Sequence, residues 1–191
     1  MAIITQIWAV CPFLLRICKN ILQRIDSLGC VLYNNAYSLK VRNAMALYFS
    51  YGMNTNREQM AVRCPDARPI GHATLAGHKL RFAGCADIVP SAAHQVDGVL
   101  WEITPQCRTA LDALEGFPSF YSIKTVMVKH RRRCYTAEVY YMVADSELWQ
   151  PSPQYYDIIA AGYRTFGVPV QQLSHALSEV CQSNLTRALS R

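Results

Sequence analysis

The order of strand-like and helical runs constrains the fold most, because strands dominate the middle of the chain and helices its end. Strand-like runs lie at Leu47–Ser50, Thr74–Ala83, Val96–Ile103, Tyr121–Lys129 and Tyr135–Val143. Helical runs are expected at about Asn56–Val62, Gln106–Leu114, Gln154–Thr165 and Val170–Cys181. Few strands alternate with helices, which argues against a doubly wound parallel sheet. The sequence predicts an α+β fold, a mixed, mostly antiparallel sheet or small barrel flanked by helices.

The length of 191 residues suits one domain with its own core. We place that domain at residues 45–182, between a leader (residues 1–44) and a tail (residues 183–191). Met45 opens a clean first strand, so we expect translation to start there; a short amphipathic helix in the leader is the alternative. The apolar run Ile3–Leu15 is shorter than the roughly 20 residues of a membrane span. No basic residue precedes it, so a secretory signal is not expected.

The net charge of +6 is concentrated in the leader, which contributes +4. A nearly neutral main domain attracts a phosphate backbone weakly, so nucleic acid is not the expected partner. The densest basic run, Lys129–Arg133, separates two strand-like runs, and we interpret it as a solvated hairpin tip. A basic protein that uses this run and the leader on nucleic acid or a membrane surface stays a weaker alternative.

Eight cysteines are scattered along the chain without a CxxC pair or a Cys/His spacing that suits zinc. We expect reduced thiols in a cytoplasmic protein, and neither a disulfide framework nor a metal site. Phosphate-binding, dinucleotide-binding, serine-hydrolase and zinc-protease motifs are also missing.

One candidate site is the run Tyr48–Asn54, a strand that ends in a glycine-containing turn ahead of a helix. Such a turn can present backbone N–H groups to an anion, because glycine allows close approach and positive φ and a helix start carries partial positive charge. The turn is therefore a candidate carboxylate or oxyanion cradle. Similar turns are also common as purely structural connections.

The second candidate is Glu115, which closes a helix and is followed by Gly116, two phenylalanines and Tyr121. A carboxylate among aromatic rings is partly desolvated, which raises its pKa toward the range where a general base works best. An exposed helix-end glutamate is the alternative. Asp112 is interpreted as a surface residue, and none of the five histidines has a partner at catalytic spacing.

Four ordered motifs resemble the γ-glutamylcyclotransferase family, which includes AIG2-like proteins. They are Tyr48–Asn54, Gly98–Thr104, Leu111–Gly116 with Tyr121 shortly after, and Pro151–Tyr155. The resemblance extends from about Ala46 to Leu177. It implies that Tyr51, Gly52, Met53 and Asn54 hold a γ-glutamyl group, that Glu115 is the catalytic acid/base, and that Tyr121, Tyr140 and Tyr155 line the pocket.

The resemblance also implies a cofactor-free reaction on a small γ-glutamyl substrate. The substrate's α-amine attacks its own γ-carbonyl, a five-membered lactam closes, and 5-oxoproline and an amine leave. Met53 departs from the family, which usually has serine there. Three alternatives stay open: a γ-glutamylamine substrate, a carrier-linked γ-glutamyl group, and a binding protein without turnover. A monomer and a homodimer are equally compatible with the residues.

Overall fold

The computed structural model describes residues 45–190, so the predictions for the leader lie outside the described residues. The elements follow the predicted order, with a 3-10 turn at Met53–Thr55 after the first strand. The strands are β1 (Ala46–Ser50), β2 (Arg68–Ala83), β3 (Cys85–Ile103), β4 (Tyr121–His130) and β5 (Arg133–Met142). The helices are α1 (Arg57–Arg63), α2 (Pro105–Glu115), α3 (Pro153–Phe166) and α4 (Gln171–Leu189).

The five strands close into a small barrel in the order β1-β3-β2-β4-β5. Neighbouring strands are antiparallel except for β1 and β5, which run parallel where Tyr48 pairs with Glu138. This single parallel pair closes the barrel. The predicted α+β fold with a mixed, mostly antiparallel small barrel is confirmed.

Strands β2 and β3 are longer than the sequence predicts and form one extended hairpin around Gly84. Gly84 adopts a φ of 78°, which favours glycine and turns the chain in a single residue. The prediction missed the first half of β3 because Pro90 and its exposed neighbours lack a strand pattern. Pro90 is tolerated beside a register shift between Ala76 and His78.

The basic run lies at the tip of the β4–β5 hairpin, as expected. His130 pairs with Arg133, and the two turn residues between them are exposed. Cys134, the next residue, is exposed as well. The tip therefore has the features of a solvated turn.

The helices begin and end at residues that cap them. In α2, Thr104 accepts a hydrogen bond from Cys107 N–H, Pro105 occupies the first turn, and Gly116 ends the helix in the left-handed conformation. Helix α4 continues to Leu189, past the predicted end at Cys181 and into the predicted tail. Within residues 45–190, no helix is long and apolar enough to cross a membrane, and no group of His, Cys, Asp or Glu is arranged to hold a metal ion.

Candidate active site

A pocket opens where β1 ends, between α2, the start of β3 and the helix α3. Its volume is about 80 Å³, room for several water molecules or one small polar group. It is lined by all eight residues that the sequence analysis singled out: Tyr51, Gly52, Met53, Asn54, Glu115, Tyr121, Tyr140 and Tyr155. Residues up to 104 positions apart in the sequence thus surround one cavity.

Buried hydrogen bonds hold the turn after β1 in place. Ser50 Oγ lies 3.1 Å from the carbonyl oxygen of Asn54, to which it donates, and it accepts a hydrogen bond of 3.0 Å from Trp101 Nε1. On the other side, Tyr163 Oη donates to the carbonyl oxygen of Tyr51 at 2.7 Å. These contacts fix the backbone that faces the pocket.

Gly52 leaves space in the pocket and does not adopt a positive φ. Its φ is −105°, so the positive φ that the sequence analysis considered is not used. A Cβ atom here would lie 3.3 Å from Ala86 Cβ and 3.4 Å from Tyr155 Oη, which is tight packing. Close approach of the turn to the opposite wall is therefore the property that glycine supplies.

The helix start that the sequence analysis assigned to the anion cradle is capped by the protein itself. The side chain of Asn56 accepts hydrogen bonds from the N–H groups of Glu58 and Gln59 at 3.0 and 3.1 Å. The 3-10 turn has no such side-chain cap, and its first backbone hydrogen bond runs from Thr55 N–H to the Gly52 carbonyl oxygen, so the N–H groups of Gly52, Met53 and Asn54 have no partner within the turn. Helix α1 therefore does not provide the anion cradle that the sequence analysis considered, and the 3-10 turn is the remaining candidate.

Glu115 is the last residue of α2, and Gly116 turns the chain away immediately after it. Asn54 Nδ2 donates to Glu115 Oε1 at 2.9 Å, so the carboxylate faces the turn across the pocket. Burial raises the pKa of Glu115 to about 7, while the positive charge of Arg63 and the hydrogen bond from Asn54 pull it in the opposite direction. A carboxyl group with this pKa exchanges a proton readily near neutral pH.

Arg63 is a pocket residue that the sequence analysis did not single out. Its Nη1 donates to Asn54 Oδ1 at 2.5 Å, and its Nη2 donates to Met53 Sδ at 2.7 Å. No periodicity could indicate this, because Arg63 reaches the turn from the far end of α1. Met53, expected to form an apolar wall, is also a hydrogen-bond acceptor.

The pocket tyrosines are held by hydrogen bonds of their hydroxyl groups. Tyr51 donates to the carbonyl oxygen of Tyr140 at 2.8 Å, and Tyr121 donates to that of Ala86 at 2.6 Å. Tyr155 accepts a hydrogen bond from Ala86 N–H at 3.1 Å. Burial raises the pKa values of Tyr51 and Tyr121 well above their ordinary range, so both stay neutral.

Asp112 was interpreted as a surface residue, and the structure corrects this. It is half-buried, and its Oδ1 accepts hydrogen bonds from Tyr140 Oη at 2.6 Å and from Arg108 Nε at 3.1 Å. The sequence analysis missed the role because the partner Tyr140 lies on a distant strand. The pocket is also lined by Tyr48, which opens the candidate run Tyr48–Asn54, and by four residues that were not named as site residues: Cys85, Ala86, Leu114 and Phe120.

Comparisons with known proteins show the family of this chain. The model of the family "Gamma-glutamyl cyclotransferase, AIG2-like" matches residues 48–162. The human protein named gamma-glutamylcyclotransferase is 31% identical over 138 residues, which cover 65% of this chain and 73% of that protein. The bovine protein of the same name is 30% identical over 139 residues, with the same coverage.

Solved structures extend the likeness to the fold. One, described as a gamma-glutamyl cyclotransferase, has a TM-score of 0.64 and 30% identity, and the likeness covers 69% of this chain and 86% of that one. The Bacillus subtilis protein YkqA, at 21% identity, has a TM-score of 0.63 over 73% of this chain and 56% of its own, and shows the shared fold only.

The small closed barrel, the family match and the named relatives together define an enzyme of the cyclotransferase class. The chain belongs to the gamma-glutamyl cyclotransferase, AIG2-like family.

Proposed function

We propose that the protein is a γ-glutamylcyclotransferase that uses Glu115 as its general acid/base. It cyclises a small γ-glutamyl amide to 5-oxoproline and releases an amine or amino acid. The family match and the curated relatives support the reaction class. The observation that carries the assignment of Glu115 is its carboxyl group, which faces the turn from 2.9 Å and has a pKa near 7.

Glu115 has two proton transfers to perform in turn. As a carboxylate it removes a proton from the α-ammonium group of the substrate, and the free amine attacks the γ-carbonyl carbon. As a carboxylic acid it then gives the proton to the leaving nitrogen as the amide bond breaks and the carbonyl re-forms, and the carboxylate is restored. The second proton of the attacking nitrogen passes to the released amine, which leaves as an ammonium, so the lactam keeps one N–H. A pKa near neutrality suits both directions of transfer.

The turn has a complementary role. The N–H groups of Gly52 and Met53 receive either the α-carboxylate of the substrate or the oxyanion that forms on its γ-carbonyl. The rings of Tyr51, Tyr121, Tyr140 and Tyr155 enclose the aliphatic part of the γ-glutamyl group. An enclosed, folded substrate brings its amine close to its carbonyl, which gives intramolecular attack a large effective molarity.

The eight scattered cysteines support a reducing, cytoplasmic compartment for this enzyme. A γ-glutamyl amino acid, a γ-glutamylamine and a carrier-linked γ-glutamyl group share the part of the substrate that these residues hold. They differ only in the leaving group, so the site residues do not distinguish among the three.

The test is an assay of the full chain against γ-glutamyl dipeptides, γ-glutamylamines and a γ-glutamylated peptide, with release of 5-oxoproline followed by mass spectrometry. Glu115→Gln should abolish release because glutamine cannot exchange the proton. Glu147→Gln is the matched control, since that side chain is exposed and paired with Arg187. The substrate that is turned over identifies the leaving group.

A binding protein without turnover is the second candidate, and the observation that favours it is Met53 at the position of the family's usual serine. Such a protein would bind a γ-glutamyl compound and release no 5-oxoproline from any member of the panel. Isothermal titration with the same compounds separates the two functions.

A further inference from the structure

Arg63 is the last residue of α1, and its side chain lines the pocket next to the turn. Its guanidinium group is largely buried, and burial lowers its pKa from the ordinary value. A guanidinium nevertheless remains protonated in proteins, so Arg63 brings a permanent positive charge into the site. Its Nε is buried without a hydrogen-bond partner in the described part of the chain. A buried cation with an unsatisfied donor costs stability, which calls for an account of what it does.

The contact of Arg63 with Asn54 determines which way the Asn54 amide points. The guanidinium has only donors, so the atom 2.5 Å from Nη1 must be the oxygen of the amide. Both N–H bonds of the amide then point away from Arg63, one toward Tyr48 Oη at 3.0 Å and one toward Glu115 Oε1 at 2.9 Å. A flipped amide would place donor against donor at Arg63 and oxygen against carboxylate at Glu115.

The other arm of the guanidinium is also occupied. Nη2 lies 2.7 Å from Met53 Sδ, so two neighbouring residues of the turn are held by one planar group. A lysine ammonium is a point charge on a flexible stem and lacks this fork. Arg63 thereby links the turn that faces the substrate to the orientation of the donor on Glu115.

The charge of Arg63 also acts on Glu115 directly. Glu115 interacts electrostatically with Tyr48 and Tyr51, within and just after β1, and with Tyr121 on β4; burial raises the pKa of each tyrosine, so all three are neutral. Cys85, Tyr140 and Tyr155 line the same pocket. Burial raises the pKa of Glu115, and within residues 45–190 Arg63 is the one charged group that lowers it.

We propose that Arg63 is a positioning residue for Glu115, fixing the Asn54 amide as a donor to the carboxylate and stabilising the ionised base by its charge. The kinetic part of this inference rests on the proposed function. The structural part concerns the ionisation of Glu115 and is measurable without any substrate.

Three variants of the full chain separate charge from orientation. Arg63→Met removes the charge and the fork but keeps an unbranched side chain, and Arg63→Lys keeps the charge alone. Arg57→Met is the matched control, because Arg57 is exposed at the opposite end of the same helix.

The first readout is the pKa of Glu115 itself, followed by NMR of the side-chain carboxyl carbon in protein labelled with ¹³C-glutamate. Glu115→Gln assigns the resonance by removing it. Loss of a nearby opposite charge raises a carboxyl pKa, so Arg63→Met should move the titration upward by about one unit, and Arg57→Met should leave it in place. Arg63→Lys should recover most of the shift.

The second readout is the pH dependence of kcat/KM. In Arg63→Met the rise of kcat/KM with pH moves upward with the pKa, so that activity at pH 6 falls about tenfold. In Arg63→Lys the rise of kcat/KM with pH returns toward the pH at which it occurs in the wild-type protein. The value of kcat at high pH stays reduced, because the Asn54 amide is no longer fixed. An Arg63→Lys protein with fully wild-type kcat overturns the role assigned to the fork.

A purely structural role predicts a different result: a folded Arg63→Met protein in which the pKa of Glu115 is unchanged. That result overturns the proposal. If wild-type protein releases no 5-oxoproline while the NMR shift is found, the proposed function fails and the role of Arg63 in the ionisation of Glu115 stands.

Discussion

Tyr140 Oη lies 2.6 Å from Asp112 Oδ1, one turn ahead of Glu115 on helix α2. Arg108, one further turn back, donates to the same carboxylate and also contacts Glu138 on β5. Hydrogen bonds and an ion pair therefore connect helix α2 to strand β5 on the side of the helix that carries Glu115. The position of the carboxylate depends on this attachment as well as on Asn54.

Tyr140→Phe removes the hydroxyl that fastens α2 and keeps the ring in the pocket wall. We expect a loss of about 1 kcal/mol in the free energy of unfolding, the usual contribution of one such hydrogen bond. We also expect a decrease of several-fold in kcat with little change in KM, because the base is less well placed. Urea unfolding and steady-state kinetics measure the two effects.

Tyr135→Phe is the control for Tyr140→Phe, since Tyr135 lies on the same strand and outside the pocket lining. Equal losses of kcat in both variants would contradict a specific role for the Tyr140–Asp112 contact.

Glu115→Gln should stabilise the protein at alkaline pH although it abolishes activity. The pKa of Glu115 is raised from 4.5 to about 7 in the folded state, so folding favours the protonated form. Its contribution to stability is complete below pH 4.5 and is lost as the pH rises through 7, a change of about 3 kcal/mol. Glutamine does not titrate, so the variant lacks this dependence.

The measurement is urea unfolding of wild-type and Glu115→Gln protein at pH 5 and pH 8. The free energy of unfolding of the variant relative to wild type should increase between the two values. A difference that stays constant, or that decreases, would show that Glu115 has an ordinary carboxyl pKa in the folded protein and would remove the basis for its role as a base near neutrality.

The fold could be predicted from the sequence where local chemistry determines it. Thr104 and Pro105 start α2, Gly116 ends it, and the basic run turns β4 into β5, so these boundaries were placed within a residue or two. The first half of β3 was missed, because its strand conformation comes from pairing with β2 rather than from its own composition.

The sequence predicted residues that line the pocket but not the hydrogen bonds that connect them. Glu115 and the turn were found from motifs that are contiguous in the sequence. Arg63, Asp112 and the partners of the tyrosine hydroxyls depend on contacts between distant elements, which a sequence does not encode as a local pattern. The contacts that orient Glu115 are thus the part that needed the structure.

Gly52→Ala should narrow the pocket without unfolding the protein. The added Cβ would lie 3.3 Å from Ala86 Cβ, so the neighbouring wall must shift by a few tenths of an ångström, at a cost of about 1 kcal/mol. We expect KM to increase about tenfold, because the proposed function places the substrate between the turn and the opposite wall.

Ala86→Gly combined with Gly52→Ala moves the methyl group from one wall to the other and serves as the control. KM should return toward the wild-type value in the double variant, although glycine within β3 lowers the stability somewhat. No recovery would indicate that Gly52 acts through its backbone conformation instead of through space.

Met53→Ser restores the residue that the family usually has and decides whether its hydroxyl matters. If the backbone N–H groups of the turn bind the substrate, kcat/KM should stay within about threefold of the wild-type value, a difference of less than 1 kcal/mol. Met53→Leu keeps the apolar bulk and removes the sulfur that accepts a hydrogen bond from Arg63, so it isolates that contact. An increase of about tenfold or more in the serine variant would instead mean that methionine has weakened turnover, and would favour a protein kept mainly for binding. Equal activity in all three proteins leaves the backbone of the turn as the part that holds the substrate.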